Sequence, residues 1–266
     1  MSGEFEAATQ VRRLSDGSGS GVYEAEIAAG WDIGGNANGG YLMALAAAAM
    51  SDAVGRPPLS LTAHYLSPGR VGPAEIEVDV LRAGRRTATA SARLRSEAGV
   101  SLALLGTFGD QVEGGPSVID GAPPVLPPAQ DCIAAGPPGD SGFIDRVDVR
   151  IRPEDADFRV GRPSGTAEML GWFEFADRHP VDALGLLLAA DAFAPVCFNR
   201  AEFPVAWAPT LELTVHLRGV PAPGPLRCLF KSRFMQDGLF EEDGELWDSS
   251  GRLVAQSRQL ALIPKG

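Results

Sequence analysis

Basic residues are in deficit: 23 Lys and Arg face 34 Asp and Glu, a net charge of −11. Nucleic acid and anionic membranes are held through concentrated Lys and Arg, so the balance argues against either as a general partner. A phosphate-bearing ligand needs a local basic patch. Histidine is scarce, with His64, His179 and His216 the whole set. Cysteine is scarce too. Cys132, Cys197 and Cys228 are odd in number and widely spaced, which fits free thiols better than a disulfide framework or a zinc site. No apolar run approaches the roughly 20 residues that cross a bilayer, and the opening stretch lacks the charged-then-apolar pattern of an export signal, so a cytoplasmic protein is expected. Gly-x-Ser-x-Gly, His-Glu-x-x-His, Walker and Rossmann patterns are all missing, which leaves serine hydrolase, zinc hydrolase and nucleotide-enzyme chemistry without support.

What is present is a globular composition rich in turns: 45% hydrophobic residues, 32 Gly and 21 Pro in 266 residues. The run GGYLMALAAAAMSDAV, residues 39–54, is apolar on nearly every face, follows Asn38 as a plausible N-cap and stops at Gly55. That is the pattern of a helix enclosed on all sides. A strand is expected over 22–28 ahead of it, and four more over 59–66, 74–82, 87–96 and 100–108, separated by Ser67-Pro68-Gly69, Ala83-Gly84 and Ala98-Gly99. The second half repeats this order. Leading strands are expected over 148–151 and 172–175, a second apolar helix over VDALGLLLAADAFA before Pro195, and strands over 210–217, 226–235, 239–247 and 253–263. LTAHYL from Leu61 matches LTVHLR from Leu213, and the turn glycine Gly99 matches Gly251, each pair 152 residues apart. A spacing shared by strand and turn indicates an internal duplication. His64 and His216 fall at equivalent positions, which favours an inherited structural role over catalysis. Residues 111–142 are dense in Pro and Gly and read as a surface linker between units 1–110 and 143–266. A short sheet cannot cover an apolar helix alone, so the two units are expected to join their sheets edge to edge.

These motifs resemble the acyl-CoA thioesterase II family of double hot-dog proteins. In the first half the resemblance rests on GGNANGGYLMALAAAA, SLTAHYLSPGR and VDVLRAGRRTATASARL. In the second it rests on VDVRI, LLLAADAF, PTLELTVHLR and DSSGRLVAQSRQLALI. It implies an α+β fold of two antiparallel sheets, each wrapped around one apolar helix and merged into one continuous sheet. It also implies a catalytic trio of Asp, Thr and Gln in the second unit, which motif matching puts on Asp191, Thr210 and Gln259. Glu212 and Leu213 stand where the family more usually has an Asp-His pair, and Gln256 competes with Gln259. The resemblance further implies an acyl-CoA substrate, no cofactor, no metal, and a homodimer or higher homo-oligomer.

The residues themselves fit water-driven chemistry. Asp191, expected in the last turn of an apolar helix, is disfavoured as a charge by burial and by the negative helix end, the setting of a base with a raised pKa, with a solvent-facing residue at the helix end as the alternative. Thr210 and Gln259 offer hydrogen bonds to the same water, or are ordinary strand residues. Strand alternation puts Thr210 with Glu212, Thr214 and His216, opposite the apolar face, unless a bulge at the strand end relaxes the rule. Asn38, Gly39 and Gly40 at a helix start are candidates for an oxyanion or substrate site, with a plain capped helix as the alternative. Arg82, Arg85 and Arg86 cluster in one hairpin and could meet the nucleotide end of CoA, or simply be a solvated turn. Three functions are therefore in play: a thioester hydrolase, a non-catalytic acyl-CoA-binding module, and a hydratase or dehydratase of the same fold, which would want a His beside an Asp.

Overall fold

The computed structural model describes residues 3–14, 19–111, 118–136 and 142–265. The helix Gly39–Val54 forms with the expected bounds: Asn38 Oδ1 accepts from the Tyr41 N–H at 2.9 Å, and Gly55 closes the far end in the left-handed region, φ 66°. Around it run Gly21–Ile27, Pro58–Tyr65, Gly72–Ala83, Thr87–Ser96 and Gly99–Gly109, each within two residues of its expected span. Apart from Tyr23 and Phe108, their inward residues are mostly small or branched, among them Ile76, Val78, Ala90, Ala92 and Leu94, so the sheet closes tightly on the alanine-rich helix.

In the second half the strands Val147–Ile151, Glu168–Phe175, Thr210–Leu217, Leu239–Trp247 and Leu253–Leu262 form as expected, the second of them longer. The strand expected over 226–235 breaks after Lys231 and resumes only at Met235–Gln236. There Glu241 accepts from the Arg233 and Phe234 N–H groups, pulling the backbone out of the ladder. The second helix is also shorter than expected. It covers Ala183–Ala189, with Asp182 as its cap, and leaves Asp191 beyond its end. The Asp191 N–H turns back to the Leu188 carbonyl at 3.0 Å, a tightening that ends the regular helix and frees the side chain. Part of the Pro/Gly-rich stretch joins the fold: Ile133–Ala134 pairs with Val147–Ile151, and the Trp172 indole donates to the Pro127 carbonyl.

Among the described residues all pairings are antiparallel, and one sheet of 14 strands carries both halves. Its seam is the pair Pro58–Tyr65 and Thr210–Leu217, the two strands that the repeat identified as equivalent. Thr62 stands directly opposite Thr214, and their hydroxyls meet at 2.8 Å. Equivalent residues facing each other are what a pseudo-twofold axis through the seam requires. The chain is thus a tandem double hot-dog, and the two helices meet inside the curve of the shared sheet.

Candidate active site

A cavity of about 330 Å³ opens where the start of the long helix meets the end of the short one. Its wall includes Asn38, Gly39, Asp191, Thr210 and Gln259, so the expected trio and most of the expected helix start converge.

Asp191 sits at the junction. Its Oδ2 accepts from the Gly40 N–H at 2.8 Å and from Asn38 Nδ2 at 3.2 Å, and the same Asn38 Nδ2 donates to the Asp191 carbonyl at 2.8 Å. Asn38 therefore caps its own helix with Oδ1 and grips the other half of the molecule with Nδ2. The sequence placed Asp191 at the negative end of its own helix. In the fold it faces the positive end of the other one, which favours its charge. Burial is the larger effect, and it raises the carboxyl to about 6 against the hydrogen bonds from Gly40, Gly39 and Asn38. Glycine is required here for space. A Cβ on Gly40 would lie 2.7 Å from the Leu187 carbonyl, and one on Gly39 would lie 2.8 Å from Asp191 Oδ2 and 2.9 Å from the Tyr65 ring.

Thr210 reaches the cavity because the ladder slips between Thr210 and Glu212, a bulge that turns the strand end inward. Its hydroxyl donates to Gln259 Oε1 at 3.3 Å, and Gln259 Nε2 donates to Glu242 Oε1 at 3.3 Å. Gln256 points to the solvent side and accepts from Arg218. Glu242 was not anticipated. It is buried, accepts from the Val196 N–H at 2.8 Å, and lies close enough to feel Asp191. Burial first, then the Asp191 and Asp243 charges, push its carboxyl up to about 8 against the Val196 hydrogen bond. A signal existed: Phe240, Gly244 and Leu246 mark the inward register of that strand, and Glu242 shares their parity. Tyr65 was also missed, although it continues the inward series Leu61, Ala63.

Arg82, Arg85 and Arg86 lie exposed on the hairpin between Gly72–Ala83 and Thr87–Ser96, and none of them lines the cavity. The basic residue beside its wall is Arg70, which donates to the Gly35 carbonyl. His64 and His216 are exposed on strands of the seam and take no part in the cavity. Among the described residues, no helix is long and apolar enough to cross a membrane.

Fold and site together define a double hot-dog protein whose two halves share one acidic cleft. Two family models match it: an acyl-CoA thioesterase N-terminal domain over residues 27–109 and an acyl-CoA thioesterase C-terminal domain over residues 122–263. The chain belongs to the acyl-CoA thioesterase family. An uncharacterized protein of Mycobacterium tuberculosis is 29% identical over 99% of both chains. A crystal structure from Thermobifida fusca, assigned provisionally to thioesterase II, is similar with 34% identity and a TM-score of 0.88, over 99% of this chain and 98% of that one. A hot-dog protein of unknown function from Alicyclobacillus acidocaldarius matches at TM-score 0.84 with 21% identity over the whole of both chains, a likeness of fold. The same holds for an acyl-CoA thioesterase II from Mycobacterium marinum, at 0.71 and 20% over 98% and 97%.

Proposed function

We propose that the protein hydrolyses acyl-CoA thioesters to free acid and CoA by direct attack of water, with Asp191 as the base. The observation that carries this is a carboxylate in the cavity wall, held by the Gly40 N–H and Asn38 Nδ2 beside Thr210 and Gln259, with burial raising it toward about 6 so that it can take a proton near neutral pH. Water between Asp191, Thr210 and Gln259 gives its proton to Asp191 as its oxygen bonds to the thioester carbon. The tetrahedral intermediate then expels CoA as its thiolate, which takes that proton back from Asp191. Leu42, Phe193 and Phe230 supply the apolar wall that an acyl chain needs. The Thr210–Gln259–Glu242 chain of hydrogen bonds fixes the Gln259 amide.

Free-thiol release from acyl-CoA esters of graded chain length tests the reading. Hydrolysis that rises with pH through about 6 supports it. Binding without thiol release favours the non-catalytic alternative. A hydratase lacks support, because His64 and His216 stand away from the cavity. The family also carries the expectation of a homodimer, which light scattering at micromolar concentration checks; a monomer mass would count against it.

A further inference from the structure

Resting on the thioesterase reading, we propose that Tyr65 is a further catalytic residue: its hydroxyl donates the hydrogen bond that holds the thioester carbonyl and then the oxyanion formed from it. Acyl transfer needs donors aimed at the oxygen on which charge develops. The start of the long helix is the obvious source, and it is already committed. The Gly40 and Gly39 amides are turned to the Asp191 carboxylate, and Asn38 uses Nδ2 on Asp191 and Oδ1 on Tyr41. Thr210 and Gln259 are partly committed as well. The single hydroxyl proton of Thr210 goes to Gln259, and Gln259 Nε2 gives one of its two N–H groups to Glu242, leaving the other for the attacking water.

Among the side-chain donors of the lining, Tyr65 stands out as buried and unpaired, whereas the Trp207 indole is largely exposed. Its Oη is buried and has no hydrogen-bond partner among the described residues, and its residue belongs to the cavity wall. Five buried side-chain polar atoms are orphaned in this way among those residues, and two of them, Asn36 Oδ1 and Tyr65 Oη, belong to cavity-lining residues. Orphaned buried groups are costly and uncommon, and a ligand that completes them accounts for their retention. Asn36 Oδ1 is an acceptor, so of the two only Tyr65 can serve an oxyanion. The Tyr65 ring and Asp191 Oδ2 both crowd the same point above Gly39, so a carbonyl meeting the hydroxyl lies beside the attacking water. Burial, then the Asp191 and Glu212 charges, hold the phenol well above its ordinary value, which keeps it a proton donor across the working range. The site thus takes its base from the second half and its carbonyl donor from the first.

Tyr65→Phe removes only the oxygen. Turnover on octanoyl-CoA should fall on the order of 10²-fold with KM within about twofold, while the melting temperature holds or rises because an unsatisfied buried hydroxyl is gone. A second readout does not depend on turnover: the infrared carbonyl stretch of ¹³C-labelled octanoyl-CoA bound to Asp191→Asn, compared with Asp191→Asn/Tyr65→Phe. A stretch lowered in the first and released in the second supports the proposal. Hydrolysis by the wild type with full turnover in Tyr65→Phe, or a stretch indifferent to Tyr65, overturns it while leaving the thioesterase reading intact. If the wild type binds octanoyl-CoA without hydrolysing it, the thioesterase reading fails, and the same stretch, measured in the wild type and in Tyr65→Phe, decides whether Tyr65 holds the carbonyl. If octanoyl-CoA does not bind at all, both fall.

Discussion

At Asp191 two influences oppose each other on one carboxyl. The long helix offers N–H groups and the positive end of its dipole, and burial withholds water. Burial prevails, so the ionised form is held at a cost to the fold. Asp191→Asn keeps the shape and removes the proposed base. Thiol release should drop by about 10²–10⁴-fold while stability holds or rises. A variant with near-normal turnover would remove Asp191 from the mechanism. Glu242 adds a second raised carboxyl, and the sign of its linkage is unusual for an acid. The native state binds these two protons more tightly than the unfolded chain does, so the stabilisation is complete at low pH. It is lost as pH rises from 3.8 to about 6 for Asp191 and from 4.5 to about 8 for Glu242. The melting temperature should therefore decline between pH 5 and pH 8. Glu242→Gln should flatten the upper part of that decline, and a slope unchanged in the variant would mean that Glu242 does not titrate there. In turnover, ionising Glu242 beside Asp191 should produce a fall above about pH 8, which the same variant should postpone.

At the scale of elements, the decisive feature is that two helix ends approach closely enough to share a carboxylate. Gly40 makes this possible by contact distance, since any Cβ there meets the Leu187 carbonyl, a backbone atom that cannot swing aside. Gly40→Ala should lower stability by roughly 2 kcal/mol or more, read from denaturant melts, because the two helices must part. Gly39→Ala should behave differently. Its Cβ points at Asp191 and the Tyr65 ring, so the expected loss is in turnover more than in stability. Equal effects of the two substitutions on stability would contradict this division. The bulge beside Leu211 belongs to the same scale: it moves one hydroxyl from the solvent face to the cavity without changing the strand around it.

The whole molecule depends on its seam. Pro58–Tyr65 and Thr210–Leu217 each complete the other's sheet, and the N-terminal segment crosses over so that Phe5 stacks on Phe175, with ring centroids 5.0 Å apart. Residues 1–110 expressed alone would expose one edge of the seam and a flank of the long helix. The fragment should aggregate or remain without a cooperative melt, and dispersed amide signals from a monomeric fragment would refute that.

Much of this architecture is local in origin. The length and caps of Gly39–Val54 follow from residues within a few positions of each end, strand alternation follows from the period of the backbone, and the duplication is visible as a constant spacing. Sequence alone therefore determined the repeat and its central strands and, through the family resemblance, named the candidate trio Asp191, Thr210 and Gln259. Tertiary structure decided what surrounds them. Asn38 gripping Asp191, the commitment of the Gly40 amide, the raised Glu242 and the unpartnered Tyr65 are relations between residues from 17 to more than 150 positions apart. No local pattern encodes a burial or a distance that exists only after two curved sheets have closed over both helices. For the same reason the arginines of the hairpin, adjacent in sequence and suggestive there, stand clear of the cavity: charge clustering along a chain sets local potential, and only the fold sets what that potential faces.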